Sequence, residues 1–310
     1  MVNDIGGYRV VRLLGKGGMA DVYEVEHPTL GVRRAMKVFR AEGDRAELLR
    51  SRFLAEGRLL ARLDHPRLVR VYDCAEDAAS GAPYITMDLV LGADGEPHTL
   101  SSLHKDRETT EAQLLEWYKD LADALSYIHS AGVVHRDVKP SNILVSADGH
   151  AVLADFGVSR ISDDALRRAL SVEATMVTDA ATAARIVFGT ANYLAPEVRN
   201  GQNATAAADI YSLGVTLFRL LTGVWYEPDS DALGLLDGYD PVWRGIFPAL
   251  LAENPVHRSL PAPRRRLGGG LAWTLAGIAA ALVVVAIGWH LWPLHDAPPE
   301  RSVEDIFFVP

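Results

Sequence analysis

The sequence predicts an α+β chain in two lobes: a small, mainly β lobe with one key helix, then a large, mainly α lobe, followed by one long apolar helix. Three observations carry this. Runs at 8–14, 22–26, 34–39, 69–74 and 84–90 read as strands, interrupted by a single helical pattern. From residue 111 the apolar positions fall instead at helical steps of three and four. Between 268 and 292 there is no charged residue.

The chain has 310 residues, 49% of them hydrophobic, which is enough for a substantial core in about two domains. Its net charge of −9 argues against a nucleic-acid partner, which calls for a basic stripe. The single cysteine, Cys74, excludes an intrachain disulfide and reads as a small core residue. Residues 1–10 have neither the basic start nor the apolar run of a secretory leader, so the N-terminal portion is expected in the cytoplasm.

In the small lobe, the first two strands are joined by Gly15-Lys16-Gly17-Gly18-Met19-Ala20-Asp21. Glycines there let backbone N–H groups approach phosphate oxygens, although a turn of this kind alone equally fits a plain hairpin. The third strand, 34–39, places Lys37 on a face with Ala35 and Phe39. The helix that follows carries Leu49, Phe53, Glu56, Leu60 and Leu63 on one stripe, so Glu56 is a carboxylate on an apolar face. Burying it costs several kcal/mol unless a cation is near, and Lys37 is the candidate; a stripe misjudged by one position would leave Glu56 solvated. The glycine-rich stretch 92–98 after the last small-lobe strand is expected to continue a linker without structure of its own.

In the large lobe, Leu114, Tyr118, Leu121, Leu125 and Ile128 mark a helix over 111–130 that stops at Gly132. It delivers the chain to the polar loop His135-Arg136-Asp137-Val138-Lys139-Pro140-Ser141-Asn142, which leaves through 143–145 and is followed by Asp155-Phe156-Gly157. One carboxylate, one lysine, one amide and a second carboxylate are what moving a phosphoryl group between oxygens requires. Asp137 would orient the attacking hydroxyl and accept its proton. Asn142 and Asp155 offer hard oxygen donors for Mg²⁺, and Lys139 could neutralise charge on the transferred group. His135 reads as a packed, hydrogen-bonded core histidine. Either tripeptide alone is a common surface turn; both in this order and spacing are not.

Taken together, these motifs resemble the catalytic core of eukaryotic-type serine/threonine protein kinases, and among those the membrane-bound bacterial members. The resemblance implies the two-lobed protein kinase fold, with a small lobe at 8–91, a large lobe at 92–260, and ATP and Mg²⁺ as cofactors. It implies that Gly15, Lys16, Gly17, Gly18 and Val22 cover the nucleotide, with Ala20 standing where the family usually has a third glycine. Lys37, paired with Glu56, would meet the phosphates, and Ala35, Met87, Leu89, Val90 and Leu144 would enclose the adenine. Arg136 resembles the arginine that goes with control by a phosphorylated loop. In the segment before Ala195-Pro196-Glu197, Thr182 and then Thr178 stand upstream of Gly189-Thr190 as the regulatory candidates. Thr190 with Lys139 resembles the serine/threonine-specific pattern. Asp209 is expected to open a helix closed by Gly223 and, by resemblance, to hold the catalytic loop; an N-cap role is compatible with that. The later large-lobe helices are compressed into 229–253, and Arg258 resembles the family's closing arginine, which would pair with Glu197. The implied function is transfer of the ATP γ-phosphoryl group to serine or threonine of protein substrates, with autophosphorylation. The rival is a membrane-tethered, nucleotide-binding pseudokinase scaffold. A small-molecule kinase is a third reading, against which Thr190 and Ala195-Pro196-Glu197 weigh.

The run 268–292 is long enough to cross ~30 Å of hydrocarbon. Trp273, Trp289 and Trp292 lie toward its ends, as interfacial tryptophans do; a buried core helix is the alternative. Arg264, Arg265 and Arg266 fall in a basic linker at 261–267, whereas the tail 293–310 carries Asp296, Glu300, Arg301, Glu304 and Asp305. These features place the chain as a single-pass protein of the cell membrane, in contact with the lipid bilayer, its kinase domain cytoplasmic and its tail outside. The span is compatible with a homodimer, and the tail is too short for a folded sensor.

Overall fold

The structure, a computed structural model, describes residues 4–18, 20–40, 46–106, 109–156, 192–228 and 231–263. Its first part is a six-stranded antiparallel sheet in the order β1-β2-β3-β4-β6-β5. The strands are β1 (Asp4–Ile5), β2 (Tyr8–Lys16), β3 (Ala20–Glu26), β4 (Arg33–Phe39), β5 (Val71–Glu76) and β6 (Pro83–Met87). Five strands were expected. The sixth, β1, is two residues long and pairs Ile5 with Tyr8, too short to leave a period in the sequence.

Helix α1 (Ala46–Leu60) lies against β5 and β6 and buries Phe53, Glu56 and Leu60, the predicted stripe. Leu63 is buried too, although the helix has ended. Gly57 explains how closely the helix approaches: a Cβ there would meet Cys74 Sγ at 2.6 Å and Ile85 Cδ1 at 3.0 Å. Cys74 is accordingly a half-buried packing residue. A separate cluster of Ile5, Val25, Met36 and Tyr84 packs together away from the main core.

Beyond the linker come β7 (His98–Thr99), α2 (Leu100–Asp106) and α3 (Glu111–Ser130). The last has the predicted bounds, and Thr110 Oγ1 caps it by accepting the Gln113 N–H at 3.2 Å. Strands β8 (Ile143–Val145) and β9 (Ala151–Leu153) pair with β7 in a three-stranded sheet. Helices α4 (Pro196–Arg199), α5 (Ala206–Thr222) and α6 (Trp243–Leu250) complete the lobe, with short 3₁₀ turns at Ala232–Gly238 and Pro255–His257. Fully buried side chains of α3, α5 and α6, among them Leu121, Leu125, Leu217, Phe218 and Phe247, form the base on which the polar loop rests. Tyr118 of α3 donates to Pro261 O at 2.6 Å, which fixes the last described segment to the same base.

Asp209 lies in the first turn of α5 and does not open it; the helix begins at Ala206 after Thr205 and ends on Gly223 at φ +72°. Nor is the stretch after residue 91 without structure: Gly92 N–H donates to Glu96 O at 2.8 Å, and Asp94 accepts from Glu96 N–H at 3.1 Å, closing a turn. No helix among the described residues is long and apolar enough to cross a membrane. The run 268–292 lies outside them, as do Gly157, Thr178, Thr182 and Thr190.

Candidate active site

The loop between α3 and β8 is held from below. Asp209, almost wholly buried, accepts the N–H groups of His135 and Arg136, each at 2.7 Å, and lies 2.9 Å from His129 Nε2. The grip suits a strained backbone, because Arg136 has φ +69°, a conformation that few non-glycine residues adopt. His135 is fully buried, and burial lowers its pKa, so the ring is neutral. A neutral ring facing Ala154 O at 3.0 Å must place its proton on Nε2, which leaves Nδ1 to accept the Asp137 N–H at 3.3 Å. His135 therefore ties the loop carrying Asp137 to the segment carrying Asp155, and no proton-transfer role is needed to explain it.

Above that base, Asp137 Oδ2 accepts from Lys139 Nζ at 2.8 Å and from Asn142 Nδ2 at 2.9 Å. The Asn142 amide nitrogen also reaches Asp137 O at 2.9 Å, so its orientation is fixed with Oδ1 as the remaining acceptor. From the small lobe, Lys37 Nζ lies 2.9 Å from Asp155 Oδ1 and 3.5 Å from Glu56 Oε1. Burial opposes the charge on Lys37, but the two carboxylates outweigh it and hold the ammonium protonated, above the ordinary lysine range. The longer of the two contacts leaves Glu56 under-compensated: burial pushes its carboxyl up to about 7, with Lys37 offsetting only part. Lys37 holds Asp155 below the usual carboxylate range against the desolvation of the cleft. The Asp155 side chain is nevertheless 48% exposed, because it faces the open cavity.

That cavity, of about 510 Å³, is lined by Gly15, Lys16, Gly17, Gly18, Val22, Lys37, Glu56, Asp137, Lys139, Asn142 and Asp155. It thus brings together the carboxylates, both lysines and the glycine-rich turn that the sequence singled out. Gly17 cannot be replaced without rearrangement, since its N–H donates to Ala20 O at 2.9 Å and a Cβ would stand 2.6 Å from that oxygen. Deeper in the cleft, Ala35 pairs in register with Met87, and Met87, Val90 and Leu144 pack on Val69, Val152 and Ala154. Leu89 lies half-buried on the adjoining linker. These are the positions that the resemblance assigns to the adenine. A second cavity, of about 540 Å³, lies behind the linker between α3 and the β8–β9 hairpin. It is slightly larger, but Trp117 Nε1 and Gln113 Nε2 on its wall already donate to Gly149 O, and none of the charged groups above lines it.

A profile described as the protein kinase domain matches residues 8–234. The chain belongs to the protein kinase domain family. It is 37% identical over 290 residues to the serine/threonine-protein kinase PknA of Mycobacterium tuberculosis, covering 89% of this chain and 62% of that one. To a probable serine/threonine-protein kinase of Streptomyces coelicolor it is 38% identical over 220 residues, 70% of this chain and 30% of the relative. The chain therefore spans only 30% to 62% of the length of these curated relatives. Among solved structures, the crystal structure of the Mycobacterium tuberculosis PknI kinase domain matches with a TM-score of 0.60 at 28% identity, covering 83% of this chain and 92% of that one.

Within the kinase domain, Arg258 and Glu197 form the expected pair, with Nη1–Oε1 at 2.6 Å and Nη2–Oε2 at 2.9 Å, deep under α4 and α5. The residues around Asn142 and Asp155 fit Mg²⁺. The donors are hard oxygens, and this ion asks for one or two protein carboxylates beside substrate phosphates. No cluster of three metal-ligating side chains stands among the described residues, and this coordination does not need one. Sequence reasoning missed the aromatic and aliphatic wall of the cavity, Phe39, Leu49 and Phe53. It also gave no role to Phe156, whose ring lies 4.4 Å from that of His135. Phe53 and Leu49 stood on the predicted stripe, one turn and two turns before Glu56, which was the available signal.

Proposed function

We propose that the chain is a serine/threonine protein kinase that transfers the γ-phosphoryl group of ATP to protein hydroxyls and autophosphorylates between residues 157 and 191. One observation carries the reading: Lys37, Glu56, Asp137, Asn142 and Asp155, from both lobes, line a single cavity capped by a glycine-rich turn. Asp137 would orient a substrate hydroxyl and take its proton as the oxygen attacks the γ-phosphorus, while the bond to the bridging oxygen of ADP breaks. Lys37 would hold the remaining phosphates, and Lys139, 2.8 Å from Asp137, would face the transferred group. Asn142 and Asp155 would hold Mg²⁺, which supplies charge neutralisation at the phosphates. Arg136, next to Asp137, would pair with a phosphorylated Thr182 or Thr178.

The test is incubation of the purified chain with labelled ATP and Mg²⁺. Phosphoserine or phosphothreonine should form on the wild type, and Asp137→Asn should lose transfer while still binding nucleotide. Equal incorporation by the variant would refute the role of Asp137; none by the wild type would favour the scaffold.

We also infer that residues 268–292 cross the bilayer once, with the kinase domain cytoplasmic and the tail outside. The support is the uncharged run, its flanking tryptophans and the arginines at 264–266. Retention of the full chain in the membrane fraction after an alkaline carbonate wash is the expected result; release into the wash would sink the reading.

A further inference from the structure

Along the cleft face of the small-lobe sheet, the register partners Arg12, Glu24, Ala35 and Met87 form one row across four strands. It lies beside the row of Gly15, Val22, Lys37 and Ile85. A strand interior is a costly place for a carboxylate, and the Glu24 side chain is only 1% exposed. Two guanidinium groups compensate it: Arg12 Nε at 2.7 Å and Arg33 Nη1 at 2.7 Å. Burial works against the charge of Glu24, and these hydrogen bonds outweigh it. The same bond fixes Arg12 in place.

From that anchored position Arg12 reaches out of the sheet. Its Nη1 lies 2.8 Å and 2.6 Å from the two carboxylate oxygens of Glu96, and its Nη2 donates to Gly95 O at 3.3 Å. Glu96 belongs to the closed turn beyond the linker. That turn is tied by Asp94 to His98 at 2.7 Å, and His98 pairs with Val145 in the large-lobe sheet. Arg12 therefore spans the two lobes three residues before Gly15. An opening of the cleft that carried β2 away from the linker turn would pull the guanidinium and the Glu96 carboxylate apart.

We propose that Arg12 is a positioning residue that latches the glycine-rich strand to the linker turn through Glu96, holding the lobes closed over bound nucleotide and slowing its exit. This rests on the kinase reading. The Arg12 and Glu96 side chains are 37% and 55% exposed, so the pair is screened by solvent, and its effect is at most about five-fold. It should lie near that limit, because Glu24 has already ordered the arginine and both Glu96 oxygens are engaged.

The experiment uses the full chain and compares wild type, Glu96→Ala, Arg12→Gln and the double variant in steady-state kinetics and in binding of ADP with Mg²⁺. Glu96→Ala should raise the KM for ATP and the ADP Kd about three- to five-fold with kcat unchanged. High salt should raise both constants by a larger factor in the wild type than in Glu96→Ala, where only the nucleotide's own charge contacts remain to be screened. In the Arg12→Gln background, removing Glu96 should have no further effect, which a general loss of stability would not reproduce. Wild-type constants in Glu96→Ala, or an undiminished Glu96 effect without Arg12, would overturn the latch while leaving the kinase reading intact. A wild-type chain that binds no ADP would instead remove the reading on which the latch rests.

Discussion

Glu56 sits on the buried stripe of α1, 3.5 Å from an ammonium that Asp155 already holds at 2.9 Å. Its carboxyl titrates near 7 in the folded chain, against 4.5 for the ordinary group. Between these values the folded chain keeps a proton that the unfolded chain has lost, so stability falls as pH rises through the window and levels off above it. Lys37 stays protonated throughout, and Asp155 is ionised below the window, so neither contributes a slope there. Glu56→Gln is neutral at every pH. Urea titrations should show the wild type losing on the order of 3 kcal/mol relative to this variant across the window. Parallel pH curves for the two proteins would mean that the carboxylate is better compensated than its distance from Lys37 implies. Glu24 could have been flagged in the sequence on the same grounds. It follows Val22 at an inward-facing strand position, and an acid there calls for a cation just as Glu56 does.

At the scale of elements, α5 holds the loop that carries Asp137 through one side chain. Removing Asp209 leaves the buried N–H groups of His135 and Arg136 without acceptors, in a loop whose Arg136 backbone is already strained. Each unsatisfied buried donor costs ~1–3 kcal/mol, so Asp209→Ala should lower stability by about 3 kcal/mol and, by freeing the residue before Asp137, cut phosphoryl transfer sharply. Asp209→Asn keeps one acceptor oxygen and should fall between. Urea midpoints and autophosphorylation rates check both, and an Asp209→Ala chain as stable as wild type would show that the loop is held elsewhere. The position of Asp209 also shows where element boundaries escape the sequence. Ala206, Ala207 and Ala208 favour helix strongly but carry no polar contrast, so the helical period becomes visible only at Ile210. Val69 has the apolar character of a strand, yet its N–H bonds Leu153 O in the large lobe, and β5 starts two residues later. Alternation reports that a residue is extended; it does not report which partner it pairs with.

Over the whole molecule, the legible part was the convergence of the site. Lys37 and Asp155 are 118 residues apart in sequence and in hydrogen-bond contact in the fold. No periodicity joins them, and the order of short motifs did. The rows and turns that connect the lobes, such as Arg12 to Glu96, carry no motif and emerge only from register. Beyond residue 263, composition stands in for contacts and is what supports the proposed orientation of the span. Arginines near an anionic leaflet gain about 1 kcal/mol each, so residues 264–266 should keep the near side of the span cytoplasmic while the acidic tail crosses. A cysteine introduced as Ser302→Cys should react in intact cells with a membrane-impermeant thiol reagent, whereas Cys74, half-buried in the kinase domain, should react only after lysis and denaturation. Replacing all three arginines with glutamate should weaken that orientation, lowering the fraction of Ser302→Cys chains labelled from outside. Full protection of the introduced thiol in the parent background would place the tail inside and refute the orientation drawn from the charges.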